Sequence, residues 1–255
     1  AMTVEAEFAK AGFAVASNAA AYRMEEDVPL IIPEVNADHL GMIEVQQDNR
    51  GWDGYIITNP NCSTIMMVMS LKPLMQFGLD NVTVATMQAI SGAGYDGVSS
   101  MAILDNIVPY IGGEEEKMEI EPQKLLGEFD GAQFVDADLT VSASCHRVPV
   151  MDGHTEAIWA TMSDDPTPED VRNAFLNFNP NLGDLPTEPE QALIVHDEPD
   201  RPQPRLDRNL GDGMSVSVGR IREGIRYAAM GHNTVRGAAG ASVLNEELLN
   251  KRGKL

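Results

Sequence analysis

The apolar positions of this chain fall into short runs whose spacing changes along the sequence. "VEAEFAKAGFAVAS" has helical spacing up to Gly12 and then alternates, which predicts a short helix, a glycine stop and a strand. "VPLIIP" (28–33) and "GYIIT" (54–58) are compact apolar runs between turn residues and are expected to be buried strands, with "HLGMIEVQQ" between them as a short helix. Such alternation is that of a parallel α/β sheet. "TIMMVMSLKPLMQFG" follows as a mostly apolar helix stopped by Gly78. "NVTVATMQAIS" then alternates at Val82, Val84, Thr86 and Gln88, the mark of a half-buried strand.

Downstream, "DGVSSMAILDNIVPYIGG" reads as helical and "EPQKLLGEF" as a shorter helix. "LTVSASCHRVPV" and "HTEAIWATM" read as two strands of one hairpin joined by the turn "MDG" (151–153). "TPEDVRNAFLNF" has an N-cap at Thr167, Pro168 at the first helical position and acidic residues in its first turn. "ALIVHDE", "MSVSVGRIRE" and "GIRYAAMGHN" are expected strands, and "VRGAAGASVLNEELLNKRG" a closing helix. The proline-rich stretch 180–204 is expected to run over the surface and cover a neighbour. The middle is thus strand-rich in the antiparallel manner, with α/β pieces at both ends.

Composition narrows the partners. With 39 acidic against 18 basic residues, a net charge of −21, the surface repels nucleic acid and anionic membranes. This charge is that of an ordinary acidic cytosolic protein or of one adapted to high salt, where screening removes the self-repulsion, and the second is the expectation taken forward. The acidic runs "GGEEEKMEIEPQ" and "MSDDPTPEDVR" are expected to be mostly solvated faces. No apolar run is long enough to span a membrane, and the first residues lack the basic-then-apolar pattern of a signal peptide. Two cysteines, Cys62 and Cys145, make no disulfide framework, so a reduced cytoplasmic setting is expected.

The cysteines open the question of chemistry. Cys62 lies in "NPNCST", between a strand and a helix, where the positive end of a helix dipole would lower a thiol pKa and Ser63 or Thr64 could cap the helix. Nucleophile and buried structural cysteine both remain open on chemistry alone. His154, just after the "MDG" turn, and Arg147, seven residues earlier on the same expected hairpin, could move a proton and grip a carboxylate. Their bland alternatives are a turn histidine and a surface ion pair. Cys145 reads as core, and His39, His146, His196 and His232 lack metal-ligand spacing. "GAGYDG" (92–97) matches G-x-G-x-x-G after a strand, but "GGEEEKM", read as a loop, stands where an acidic strand end should come, so it is no dinucleotide fingerprint.

Together "NPNCST", "QAISGAG", "GGEEEKMEIEPQKLLG", "CHRVPVMDGHTEAI" and "AAMGHNTVRGAAGAS", in this order, resemble the aspartate-semialdehyde dehydrogenases of archaea and fungi across essentially the whole chain. The resemblance implies a remnant of a Rossmann-type NADP-binding domain over 1–61 and 231–255. It also implies an α+β catalytic and dimerisation domain over 62–230, like the C-terminal domain of glyceraldehyde-3-phosphate dehydrogenase. It implies Cys62 as nucleophile, His154 as general acid/base, Gln88 as a substrate-orienting group and Arg147 as the carboxylate clamp. Arg23, Asn61 and Lys117 would bind phosphate and Glu114 the substrate ammonium. Ser91, Gly92, Gly94 and Asn233 would face the cofactor, NADP, and no metal is implied.

The activity implied is NADP-dependent reductive dephosphorylation of L-aspartyl-4-phosphate, on the route to Lys, Met and Thr, by a homodimer or homotetramer. Family members open with a strand, a G-x-T-G-x-x-G loop and a helix that this sequence does not contain, so weak cofactor binding and an exposed sheet edge are expected. The alternatives are an NADP-dependent malonyl-CoA reductase and a non-catalytic dimerising fragment.

Overall fold

The computed structural model describes residues 2–255. Helix α1 (Met2–Lys10) stops where Gly12 turns the chain at φ +92°, and β1 (Ala14–Ser17) follows, as the pattern predicts. Strand β1 pairs in parallel with β2 (Tyr55–Thr58), and α2 (Pro33–Asn36) and α3 (Met42–Arg50) lie between them in sequence. The run 28–33 is buried as expected but is not a strand. It makes a single bridge, Leu30 to Thr58. Pro29 and Pro33 bracket it and cannot donate to a ladder. The Asn36 side chain takes up the backbone instead, accepting from Ile32 N–H at 2.9 Å and donating to Leu30 C=O at 2.8 Å.

Helix α4 (Cys62–Leu71) is buried on every side after its first residue, which suits a helix with no polar face. Strand β3 (Leu79–Gln88) buries Val82, Val84, Thr86 and Gln88 as predicted. The next stretch departs from expectation. Only α5 (Ser100–Ile103) is helical within 96–113, and Tyr95, Met101, Leu104, Ile107 and Tyr110 are exposed. Apolar residues with no surface to pack on do not hold a helix of this length in water.

Helix α6 (Glu114–Leu126) also corrects the reading. "GGEEEKM" is not a loop: it joins "EPQKLL" as one helix that carries Pro122 in its interior, with three glutamates in the first turn where the helix dipole favours them. Nor is it a solvated face, since Glu114, Met118, Glu121, Lys124 and Leu125 are buried. A small ladder of β4 (Glu128–Phe129) and β5 (Phe134–Val135) leads to β6 (Thr140–Arg147) and β7 (His154–Met162). Next come α7 (Pro168–Leu176), β8 (Leu193–His196), α8 (Pro204–Asp207), β9 (Val216–Arg222) and β10 (Arg226–Gly231). A π-helical turn, Val235–Ala239, opens α9 (Gly240–Lys251). Helix α7 begins with the anticipated cap, a reciprocal Thr167–Asp170 box.

The main sheet runs β6-β3-β7-β10-β9-β8. Strands β6 and β7 are therefore not a hairpin. Strand β3 lies between them, parallel to β6 and antiparallel to β7. The outer edge of β6 is closed by α6: Cys145 N–H donates to Glu115 Oε1 at 2.9 Å and Ala143 N–H to Glu119 Oε1 at 3.1 Å. One sheet face carries α4 and the core. The other leaves Thr83, Ser142, Ser144, Trp159 and Thr161 exposed. The stretch 180–204 covers a neighbour as expected, with Leu182 and Leu185 packed in one cluster with Leu244 and Leu248 of α9, and it also supplies edge strand β8.

Candidate active site

Three element ends meet at the start of α4. Asn61 is its N-cap: Oδ1 accepts from Ser63 N–H at 2.9 Å and Thr64 N–H at 3.2 Å. The cap is thus Asn61 and not Ser63 or Thr64. Asn61 is held at two more points, its N–H donating to Glu121 Oε2 at 2.7 Å and its Nδ2 to Glu114 Oε1 at 2.6 Å. So fixed, the turn presents Cys62 Sγ at 3.3 Å from His154 Nε2.

His154 does not project off a sheet end. It is fully buried, and its Nδ1 accepts from Ala89 N–H at 3.0 Å. That contact leaves the neutral ring's proton on Nε2, toward the sulfur. The carbonyl of the same residue accepts from Arg147 Nη1 at 2.6 Å. Ala89 follows β3 directly, so the central strand's end ties the first residue of β7 to the last of β6. Arg147 and His154 are brought together as anticipated, through β3 and not through a shared turn.

The electrostatics differ from expectation. The pull of the helix start on the Cys62 thiol is outweighed. Burial and then the Glu114 carboxylate push it up to about 12, against the smaller opposing effects of Ser63 N–H, Arg147 and Arg23. Burial lowers His154 to about 3, with Arg147 and His232 adding to it. The resting pair is a thiol beside a neutral imidazole. Burial also lowers Arg147 against the pull of Glu114.

A cavity of about 390 Å³ opens over the sulfur, and Arg23, Asn61, Glu114, Lys117, Ser91, Gly92, Gly94 and Asn233 all border it. Gln88, Arg147 and His154 lie behind its wall, almost wholly buried. Gln88 donates to Thr86 Oγ1 at 3.3 Å on its own strand. Arg23 is paired with Glu121 at 2.9 Å and also donates to Asn18 C=O at 2.9 Å, while its Nε has no partner. Lys117, one-third exposed at its side chain, lies 3.4 Å from Glu114. A wider cleft between Pro186 and Val243 has neither cysteine nor histidine in its walls.

The groups placed for the cofactor fit its amide end. Asn233 accepts from Gly153 N–H at 2.8 Å and donates to Ser91 Oγ at 2.8 Å, which leaves one amide N–H free. Gly237 and Gly92 leave room that any side chain would fill, with an added Cβ 2.8 Å from Cys62 Cβ or Arg147 Nη1 respectively. "SGAG" forms a 3₁₀ turn, Ile90–Ala93, and no helix follows it directly, so the glycine motif is not a dinucleotide fingerprint. Among the described residues no His, Cys, Asp and Glu cluster could hold a metal. Sequence reasoning missed Ala89, Glu121 and Gly237. Glu121 stands seven residues after Glu114, and one unbroken α6 would have put both on one face.

Residues 71–236 match the family described as semialdehyde dehydrogenase, dimerisation domain, and residues 1–43 the one described as semialdehyde dehydrogenase, NAD binding domain. The aspartate-semialdehyde dehydrogenase of Archaeoglobus fulgidus is 63% identical over 97% of this chain and 73% of its own length. That of Schizosaccharomyces pombe is 49% identical over 98% and 74%. The crystal structure of aspartate semialdehyde dehydrogenase with NADP from Candida albicans superposes with a TM-score of 0.89 at 44% identity, covering all of this chain and 75% of that one. A thiol and an imidazole set by three strand and helix ends, in a chain this similar over nearly all its length, place the protein in the aspartate-semialdehyde dehydrogenase family.

Proposed function

We propose that this chain carries out the NADP-dependent reductive dephosphorylation of L-aspartyl-4-phosphate to L-aspartate 4-semialdehyde, a step of amino-acid biosynthesis that leads to Lys, Met and Thr. The observation that carries this reading is the 3.3 Å contact of Cys62 Sγ with His154 Nε2, beside an arginine held by the same backbone residue. Cys62 is the nucleophile. Arg147 holds the substrate α-carboxylate, Glu114 the ammonium, and Arg23, Asn61 and Lys117 the phosphate. An ammonium at Glu114 cancels the second-largest effect that keeps the thiol protonated, so substrate binding itself favours the thiolate.

The sulfur attacks the acyl carbon, and the bond to the phosphate oxygen breaks with its electron pair on the departing phosphate, which carries off the thiol's proton as hydrogen phosphate and leaves a thioester. Ser91, Gly92, Gly94 and Asn233 would hold NADPH, which would supply the hydride. The tetrahedral oxyanion left by hydride addition collapses to the aldehyde and expels the sulfur as a thiolate, and His154 Nε2–H, the donor nearest the sulfur, hydrogen-bonds that charge. Gln88 orients the substrate from the end of β3. The cationic Arg23 and Lys117 around the cavity suit free phosphate, and no observation favours the malonyl-CoA reaction over it.

Residues 1–61 and 231–255 form the nucleotide-side domain and 62–230 the catalytic one. The assembly is a homodimer or a homotetramer, built on the open sheet face around Trp159 and the exposed apolar run 95–110. The setting is cytoplasmic, and the carboxylate-rich surface is an adaptation to high salt. The decisive experiment is turnover in the phosphate-dependent oxidation of aspartate semialdehyde. Cys62→Ala is expected to abolish it, and retention of activity in that variant refutes the reading.

A further inference from the structure

Glu34 and Arg236 form an ion pair with no exposure on either side chain. The guanidinium grips the carboxylate with both arms, Nη1 to Oε1 and Nη2 to Oε2, each at 2.7 Å. Nη2 also lies 3.5 Å from Met69 Sδ on α4, the helix that begins at Cys62. Arg236 heads the largest fully buried side chains of the protein. Stability alone does not account for such a pair, because well-packed apolar residues of similar volume usually do as well or better.

Its position supplies the reason. Arg236 lies inside the π-turn, where Gly237 N–H donates to His232 C=O at 3.0 Å and Ala239 N–H to Thr234 C=O at 3.2 Å. An ordinary α-turn would use the same donors with carbonyls one residue further on, so backbone bonding does not choose between the two. A two-armed grip on Arg236 does choose, since it fixes the direction of that side chain and hence the rotation of the residue after it. That residue is Gly237. A Cβ there would lie 2.8 Å from Cys62 Cβ and 3.2 Å from Cys62 Cα. Gly237 and Ala238 also form part of the cavity wall over the sulfur.

We propose that Glu34 and Arg236 are a positioning pair: they select the π-turn, press Gly237 against Cys62, and so set the depth and aim of the sulfur. This rests on Cys62 being the nucleophile. The pair touches neither the sulfur nor the cavity over it and acts through Gly237.

The test separates positioning from stability. Glu34→Leu with Arg236→Met replaces the pair by apolar bulk, and Arg236→Lys keeps the charge but loses the two-armed grip. Each is compared with the unaltered protein for thermal melting, for the rate at which iodoacetamide alkylates Cys62, located by peptide mapping because Cys145 is also a free thiol, and for semialdehyde oxidation. The paired replacement is expected to melt within a few degrees of the unaltered protein. Its Cys62 is expected to react about tenfold faster as the wall withdraws, and its turnover to fall about tenfold or more. KM for the semialdehyde should hold within about twofold, because Arg147 and Glu114 are untouched. Arg236→Lys should shift both rates in the same directions and decides the matter if the paired replacement does not fold. Alkylation and turnover both within about twofold of the unaltered protein, in a folded variant, overturn the proposal while leaving Cys62 as nucleophile. If alkylating Cys62 in the unaltered protein leaves turnover intact, the nucleophile reading falls, and the pair's role with it.

Discussion

Gly92 is the position where the smallest chemical change should do the most selective damage. It belongs to the exposed Ile90–Ala93 turn, and its φ is not in the left-handed region, so alanine fits the backbone. The new methyl group has no room. It would lie 2.8 Å from Arg147 Nη1, 2.9 Å from His154 Cε1 and 3.0 Å from His154 Nε2. Both neighbours are held in place: the arginine by Ala89 C=O at 2.6 Å, and the imidazole between Ala89 N–H at 3.0 Å and Cys62 Sγ at 3.3 Å. Ordinary contact begins near 3.4 Å, so the turn must move out by about 0.6 Å, or the guanidinium must shift by as much and the imidazole by about 0.5 Å. A displacement of ~1 Å between reacting groups costs on the order of 10²-fold in rate, so Gly92→Ala is expected to lower kcat by about 10- to 10²-fold, or ~1.4–2.8 kcal/mol of transition-state stabilisation. The turn is exposed, so stability should change by less than about 1 kcal/mol. The assay is steady-state oxidation of the semialdehyde with phosphate, beside a thermal melt. Gly94→Ala is the control: its Cβ meets open space, and its cost lies in a backbone at φ +82° and ψ −167° that favours glycine. A Gly92→Ala enzyme with kcat within threefold of the original would refute the placement of Arg147 and His154 against this turn.

Other expectations follow from the same groups. With the Cys62 thiol at about 12, its alkylation rate in the substrate-free protein should climb about tenfold per pH unit between pH 7 and 10, and a plateau inside that range contradicts so raised a thiol. Glu114→Gln removes a carboxylate that holds the proton on, so it should speed alkylation across that range; a slower rate would mean that Glu114 acts mainly through its bond to Asn61. Glu156 is fully buried with no partner for either oxygen, and burial holds it well above the usual carboxylate range. The folded chain keeps a proton that the unfolded chain releases above about pH 4.5, so this group's contribution to stability is full below that pH and is lost as pH rises. Glu156→Gln should therefore melt higher than the original protein at pH 8, with the gap narrowing toward pH 4.5, and an equal gap at both would contradict a protonated Glu156. Lys124 donates to three carbonyls, of Arg23, Glu25 and Val28, so Lys124→Met should cost ~2–4 kcal/mol in urea unfolding; a loss below ~1 kcal/mol would show that water replaces it.

What the sequence reveals here, and what it withholds, divides along a physical line. Local signals reported well: Gly12 stops α1, Thr167 and Pro168 open α7, and the alternation of β3 puts Val82, Val84, Thr86 and Gln88 on the buried side. The stretches misjudged are those whose backbone or charge is met by a side chain that the apolar pattern does not register. Residues 28–33 look like a strand, but their backbone is met by the side chain of Asn36. The glutamates of α6 look solvated, but Glu115 and Glu119 close the edge of β6 while Glu114 and Glu121 hold Asn61. No spacing rule shows a carboxylate finding a strand edge some 25–30 residues away.

The site shows the same division at higher stakes. Arg147 and His154 stand seven residues apart across a tight turn, and a hairpin is the economical reading of that distance. In a hairpin their separation would vary with every motion of the turn. With β3 inserted between them, each is instead hydrogen-bonded to the backbone of Ala89, one through the N–H and one through the C=O. Backbone groups cannot be altered by substitution, and both bonds are short and buried. The geometry on which the proposed His154–sulfur hydrogen bond and the proposed carboxylate binding depend is therefore fixed by strand order. Substitutions in the 151–153 turn that leave the β6-β3-β7 order intact should change turnover far less than a single methyl group added at Gly92.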